Sequence, residues 1–266
     1  MNELASLHAL ITRPQSQAQR LAQRISSLGG QVELFATINI IPRLTQSQLA
    51  AQLAKKPAID QLIFISPNAI TQGCPLLQQT PTIAWRQLPC IAMGEPSANL
   101  LRDHGAQHVF YPTPHYSAED TLTLPSLQLV TQQHIVIFKG EGGRPLLTDT
   151  LRERGAQITE IICYQRALPT PDPNKQIHLL QTGVNAIIST SIVSADNLWT
   201  LFAPTGTTWL QQRQWVVSSQ RIANHLQRYS LVHKPLIAQN ASDDAMISTL
   251  LMNATLFSRQ PTAKGI

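Results

Sequence analysis

HIVIFKGEGGRPLLTDTLRERGAQITEIICY, residues 134–164, holds one complete step of an α/β chain. HIVIF (134–138) is a short apolar, β-branched run. The loop Lys139-Gly140-Glu141-Gly142-Gly143-Arg144 follows it, a helix opens at Pro145, and QITEIICY (157–164) is the next strand run. The same alternation fills the chain: LHALIT (7–12), QVELF (31–35), LIFIS (62–66), PCIAM (89–93), NAIIS (185–189), QWVVS (214–218) and KPLIA (234–238). Between the first two of these, Leu21, Ala22, Ile25 and Leu28 recur at helical spacing, and Gly29-Gly30 ends that helix. Continuous apolar strands separated by amphipathic helices predict parallel sheets covered on both faces. The class is α/β.

The quoted stretch also has an earlier counterpart. Ile11-Thr12-Arg13-Pro14 through Val32 matches Ile137-Phe138-Lys139-Gly140 through Ile158, 126 residues on. LIFISPNAI (62–70) matches IISTSIVSA (187–195), and CIAMGEPSANLLRDHG (90–105) matches WVVSSQRIANHLQRYS (215–230), both 125 residues apart. Ser117-Ala118-Glu119-Asp120 finds Ser242-Asp243-Asp244-Ala245 at the same spacing. Four matches in order at offsets of 125–126 mark an internal duplication.

Composition narrows the partners. The 266 residues are 43% hydrophobic and 13% charged, with 20 Lys+Arg against 15 Asp+Glu and a net charge of +5. That excess is scattered, with no basic run longer than Lys55-Lys56, whereas a nucleic-acid binder concentrates its charge in a stripe. An anionic small molecule is the expected ligand, with no nucleic acid and no membrane. Cys74, Cys90 and Cys163 form no CxxC pair, and Cys163 reads as a core thiol. No run reaches the length of a membrane span, and Glu3 sits where a signal peptide wants positive charge. A cytoplasmic protein is expected, ending in a loose tail over 258–266. The eight histidines form no H-E-x-x-H or His/Cys cluster, so no metal is expected, and no G-x-S-x-G elbow suggests a hydrolase. His115, Tyr111, Tyr116 and His225 read as surface residues.

Candidate binding residues lie where strand runs end. Glycines at 140, 142 and 143, with Lys139 and Arg144, form either a tight turn or a cradle in which backbone N–H groups and a helix N-terminus meet a carboxylate or phosphate. The loop is neither a dinucleotide fingerprint nor a P-loop. Ser66-Pro67-Asn68, Ser189-Thr190-Ser191 and Ser218-Ser219 precede helices, where they serve equally as N-caps or as ligand donors, and Gly94-Glu95-Pro96-Ser97-Ala98 has the same placement. In open α/β sheets the carboxyl ends of the strands face the ligand crevice. Tyr164 ends its strand run just before Gln165, Arg166 and the Pro169-Thr170-Pro171 linker. It is either an ordinary strand-end tyrosine or one directed into an inter-domain cleft.

Together these segments resemble the uroporphyrinogen-III synthase family. The matching pieces are ITRP (11–14), SPNAI (66–70), AMGEPSANLL (92–101), FKGEGGRPLLTDTLRERGA (138–156) with CYQRALP (163–169), STS (189–191), VVSSQRIANHL (216–226) and ASDDAMISTLL (241–251). They span nearly the whole chain in order. The resemblance implies two similar parallel-sheet α/β domains joined by a two-stranded linker, with a cleft between them. Pro42 and Pro169 stand at corresponding places in the two copies. Domain A is therefore expected as 1–37 with 168–257, and domain B as 41–165.

The resemblance also implies a reaction without cofactor or metal. Hydroxymethylbilane loses its terminal hydroxyl to give an azafulvene, ring D is attacked at its substituted α-position, and the spiro intermediate recloses with ring D inverted. Tyr164 matches the tyrosine credited with helping the hydroxyl leave. Substrate would be lined by Arg13, Ser66, Asn68, Gly94, Ser97, Ala98, Lys139, Gly140, Gly142, Gly143, Arg144, Thr190, Ser191, Ser218 and Arg221. The second copy departs from the first, with Ser219-Gln220-Arg221-Ile222-Ala223 where the first has Gly94-Glu95-Pro96-Ser97-Ala98. A monomer is expected, with at most transient contact with hydroxymethylbilane synthase. The rival reading is a two-lobed carrier of an anionic metabolite, which requires neither Tyr164 nor the glycine-arginine loop.

Overall fold

The computed structural model describes residues 2–54, 56–113 and 116–258, apart from the side chain of Ser16. Lys55, His115 and the expected tail beyond Ser258 lie outside the described residues. The chain divides into two compact units, one formed by residues up to Asn39 and from Ala167 onward, the other by Ile40–Arg166.

The first unit is a five-stranded sheet. Its strands are β1 (His8–Ile11), β2 (Gln31–Leu34), β9 (Ala186–Ser189), β10 (Gln214–Val217) and β11 (Leu236–Ile237), in the order β11-β10-β9-β1-β2 and parallel throughout. Alternate side chains leave a strand on opposite faces. Leu10, Ile187, Trp215 and Val217 enter one core with Phe35, Leu198 and Phe202. Ala9, Ile11, Ile188 and Val216 enter the other with Leu21, Ile25 and Leu250. Both faces being covered is why the central runs of β1, β9 and β10 read as nearly continuous apolar sequence rather than as an alternation.

The second unit is a six-stranded sheet of β3 (Asn39–Pro42), β4 (Gln61–Phe64), β5 (Pro89–Ala92), β6 (His108–Phe110), β7 (His134–Gly140) and β8 (Gln157–Ala167), in the order β3-β8-β7-β4-β5-β6. From β8 to β6 every pairing is parallel. Leu62, Phe64, Val136 and Phe138 face one core, and Ile63, Ile135 and Ile137 the other.

The duplication maps onto these sheets with an exchange. At the sequence offset, β1, β2, β9, β10 and β11 correspond to β7, β8, β4, β5 and β6, and the strand order is the same in both sheets. Setting aside β3, which has no counterpart in the first sheet, each sheet thus takes two strands from one copy and three from the other. Local capping repeats as well. Gly29 and Gly155 both take left-handed backbone, at φ 88° and 85°, after the first helix of each copy. In each case the next residue's N–H reaches back to the helix, from Gly30 to the Ile25 carbonyl and from Ala156 to that of Leu151. Ser66 and Ser191 cap their helices through the N–H groups of Ala69 and Ser194, and Ser117 and Ser242 do so through Asp120 and Ala245.

All nine runs read as strands contain strands. Two strands have no such run. β3 and β6 are half-exposed segments of four and three residues at the sheet margins, too short to carry a periodic signal. Two local expectations need correcting. The helix after the glycine loop starts at Leu146, with Pro145 at its N-cap, and β8 continues past Tyr164 to Ala167. Among the described residues no helix is long and apolar enough to cross a membrane.

Among the buried polar residues of the second unit is a histidine. His134 opens β7 with 1% exposure. Its Nδ1 lies 2.9 Å from the Pro57 carbonyl, which can only accept, so Nδ1 donates, and Nε2 lies 2.9 Å from the Thr159 hydroxyl. His134→Ala removes both partners and leaves a void. Its urea midpoint is expected to fall by an amount equivalent to about 2–4 kcal/mol, and an unchanged midpoint would show the site collapses around the smaller side chain.

Candidate functional site

Parallel strands bring their carboxyl ends to one edge of a sheet. In the second unit that edge collects Ser66 after β4, Gly94 after β5, and the loop after β7. Tyr164 joins them from β8. The β7/β8 ladder shifts register between Lys139 and Gly140, which sets Tyr164 opposite Gly140. Its ring lies directly over that glycine: a Cβ there would stand 2.6 Å from the ring Cζ and 2.9 Å from the hydroxyl. Glycine is required by this close approach.

Tyr164 is therefore not a strand-end side chain. It is fully buried in the core with Phe64, Phe138 and Cys163. Its hydroxyl lies 2.9 Å from the Ser66 hydroxyl and accepts a 2.9 Å hydrogen bond from the Arg166 guanidinium, which also lies over the ring at 5.3 Å. Either hydroxyl of the Tyr164–Ser66 pair can donate to the other, so the phenol is held between a fixed cationic donor and a reversible hydroxyl partner. Arg166 is two residues along the same strand and hence on the same face, the one signal by which sequence could have paired it with Tyr164. Cys163, next door, is a buried thiol whose pKa burial pushes up to about 12, so it is not a nucleophile.

The loop itself is open. Gly142 and Gly143 take left-handed backbone, at φ 75° and 99°, with no neighbour near a would-be Cβ. The N–H of Glu141 is bonded to the Tyr164 carbonyl. The Lys139 ammonium contacts Glu160 at 2.6 Å, and Thr148 donates to the same carboxylate oxygen. Burial pushes the Glu160 carboxyl upward, but Lys139, Thr148 and Arg152 outweigh it and hold the group below the usual range. The Arg144 fork grips Glu119.

Not every expected residue reaches the edge. Asn68 and Ser97 are buried at the first turns of their helices. Ala98 is a correction: its side chain is fully buried in the core and its N–H is bonded to the Gly94 carbonyl, so it offers a ligand nothing.

The corresponding edge of the first unit is rich in hydroxyls. Ser191 and Ser219 cap the helices after β9 and β10, Ser189 donates to the Ser191 carbonyl, and Ser218 donates to that of Thr190. Arg221 is exposed on the second of these helices. Beneath them is a cluster that no sequence pattern had joined: Thr12 and Thr37 each lie 2.8 Å from the Ser194 hydroxyl, all three buried. It ties the ends of β1 and β2 to the helix that Ser191 opens. Arg13 is a second correction. Its 8%-exposed guanidinium is held by Asp243 and the Ala241 carbonyl, both at 2.7 Å, so it braces the helix starting at Asp243 rather than facing substrate. His225 is a third: it is half-buried and paired at 2.7 Å with Asp196, to which Tyr229 also donates. Tyr116 is exposed, as expected, while Tyr111 packs against the core.

Among the described residues no three His, Cys, Asp or Glu side chains converge to hold a metal ion.

Comparison with known proteins gives one consistent answer. The family model for uroporphyrinogen-III synthase HemD matches residues 19–248. The uroporphyrinogen-III synthase of Escherichia coli K12 is 32% identical over 244 residues, which is 91% of this chain and 98% of that protein. Among solved structures, the uroporphyrinogen-III synthetase of Helicobacter pylori 26695 aligns with a TM-score of 0.62 at 18% identity, covering 92% of this chain and 99% of that one. A mutant uroporphyrinogen III synthase from the extremely thermophilic bacterium Thermus thermophilus aligns with a TM-score of 0.56 at 16% identity, covering 94% and 99%.

Proposed function

The chain belongs to the uroporphyrinogen-III synthase family, cyclising lyases of tetrapyrrole biosynthesis, and from that premise we propose how its residues divide the work. Hydroxymethylbilane carries eight carboxylates and closes unaided to the symmetric isomer. The enzyme's task is to hold a flexible polyanion so that ring D is inverted. Positioning and preorganised dipoles supply this. Many N–H and O–H donors suit such a substrate better than a few buried cations, whose desolvation is costly.

Donors from both units take part in this reading. Ser66, Asn68, Gly94, Ser97, Lys139, Gly140, Gly142, Gly143 and Arg144 contribute from one strand edge, and Thr190, Ser191, Ser218 and Arg221 from the other. The observation that carries the catalytic assignment is the Tyr164 hydroxyl. It sits at a strand edge, accepts from Arg166, and lies 2.9 Å from the Ser66 hydroxyl, to which its proton can be given. The departing hydroxyl of the substrate takes the place of Ser66 as acceptor. The C–O bond breaks with its electron pair on oxygen, the phenol's proton completes the water, and the pyrrole nitrogen's electron pair forms the C=C bond; loss of the pyrrole N–H proton then leaves the neutral azafulvene and returns a proton to the phenolate. The two-lobed carrier reading gives no account of such a buried, polarised phenol. We further propose that the enzyme acts as a monomer in the cytosol, without cofactor, and meets hydroxymethylbilane synthase only transiently.

The test is to supply enzymatically generated hydroxymethylbilane and resolve the type I and type III products. Type III is expected to dominate, and extended dialysis against a strong chelator is expected to change neither rate nor ratio. Type I alone would refute the reading, and activity restored by zinc or magnesium would refute its metal-free form.

A further inference from the structure

On the sheet face opposite the Tyr164 ring, the carboxyl ends of β4, β5 and β7 open into a pocket of about 300 Å³. Ile65, Met93 and Leu147 give it an apolar lining, and Tyr116, Lys139 and Arg144 stand around it. This volume is at the low end of ligand pockets, which run roughly 300–1,000 Å³. It suits one substituted ring, not a whole linear tetrapyrrole. Tyr116 supplies a flat, exposed wall and lies over Gly94, where a Cβ would come within 2.8 Å of its ring.

The two cations are held differently. Lys139 is mostly buried, and its partner Glu160 is fixed in turn by Thr148, so that pair is part of the wall. Arg144 is exposed, and its guanidinium takes Glu119 through both nitrogens, at 2.7 and 3.1 Å, each to a separate carboxylate oxygen. This is the two-pronged geometry by which arginine recognises a carboxylate. A pair so open to water contributes little to folding and is readily exchanged. Glu119 stays ionised at neutral pH, because the hydrogen bond from Arg144 lowers its pKa further.

We propose that this pocket receives one pyrrole ring of the substrate and that Glu119 is a placeholder, displaced from Arg144 by a carboxylate of that ring. The proposal rests on the synthase reading above. The ring lies against the apolar lining and Tyr116, and its carboxylate inherits the Arg144 fork. Glu119 is then an internal competitor that keeps the fork aligned while weakening substrate binding.

The signature is opposite effects from the two partners of one ion pair. Glu119→Gln removes the competitor, and its KM for hydroxymethylbilane in type III formation is expected to fall by about two- to fivefold, the range set by an exposed ion pair. Arg144→Ala is expected to raise KM by about tenfold or more, and Arg144→Lys, which keeps the charge and loses the fork, by less. The double variant should match Arg144→Ala alone, because Glu119 has nothing left to block. Circular dichroism and urea midpoints verify that each variant is folded. An unchanged or raised KM in Glu119→Gln, or an unchanged KM in Arg144→Ala, overturns the placeholder while wild-type type III synthesis stands. If the wild type itself makes no type III product, it is the underlying reading that fails.

Discussion

Tyr164→Phe is expected to fold and to lose activity by about ten- to several-hundred-fold, within or just below the range of one general acid. The substitution keeps the ring, which fills the space over Gly140 among Phe64, Phe138 and Cys163. It removes only the oxygen that Arg166 donates to and that faces Ser66. The lost hydrogen bonds should cost about 1 kcal/mol of stability. The loss of rate is finite because the electron-rich pyrrole already activates the leaving hydroxyl, so a donor helps without being indispensable. Ser66→Ala, by contrast, removes a helix cap and one donor among many, and should cost less activity. Single-turnover type III formation separates the outcomes. Full activity would make Tyr164 a packing residue. Complete loss would mean that proton donation, not positioning, dominates the barrier.

The second large effect is expected at a residue without a side chain. Gly140→Ala places a methyl 2.6 Å from Tyr164 Cζ and 2.7 Å from Cε2, well inside van der Waals contact. The ring cannot swing away, because it is fully buried and bonded at its tip on both sides. Overpacking of this kind costs about 1–3 kcal/mol. Any relief must move the hydroxyl away from Ser66, so the activity loss should equal or exceed that of Tyr164→Phe, roughly a hundredfold. Urea titration with the product assay checks both halves. A variant that keeps its stability and rate would show that the contact over Gly140 is not what positions the phenol. Gly142→Ala is the informative control: its Cβ meets nothing, so only the left-handed backbone is strained.

The sequence alone determined the elements, their class and their repetition. Strand runs buried on both faces are apolar at nearly every position, helices repeat at their own period, and serine and glycine caps act within a few residues, so all of these are local. The duplication was legible for the same reason: Gly29 and Gly155, or Ser66 and Ser191, perform the same local task in each copy. The candidate edges were legible too, because parallel strands place their carboxyl ends together. β3 and β6 escaped because a short, half-exposed edge strand has neither a continuous nor an alternating apolar pattern.

Only the tertiary structure decided which of the polar side chains at those edges are engaged, and by what. Arg13 looked like a ligand residue until Asp243, 230 positions away, was found to hold it. Ala98 lay in a promising motif yet faces the core. Tyr164 gained its partner from Ser66, 98 residues earlier, through a register shift that no periodicity announces. Periodicity assigns a side chain to a face. Its partner there is set by strand order and register, which follow from packing the whole sheet, so residues far apart in sequence meet only once the chain has folded.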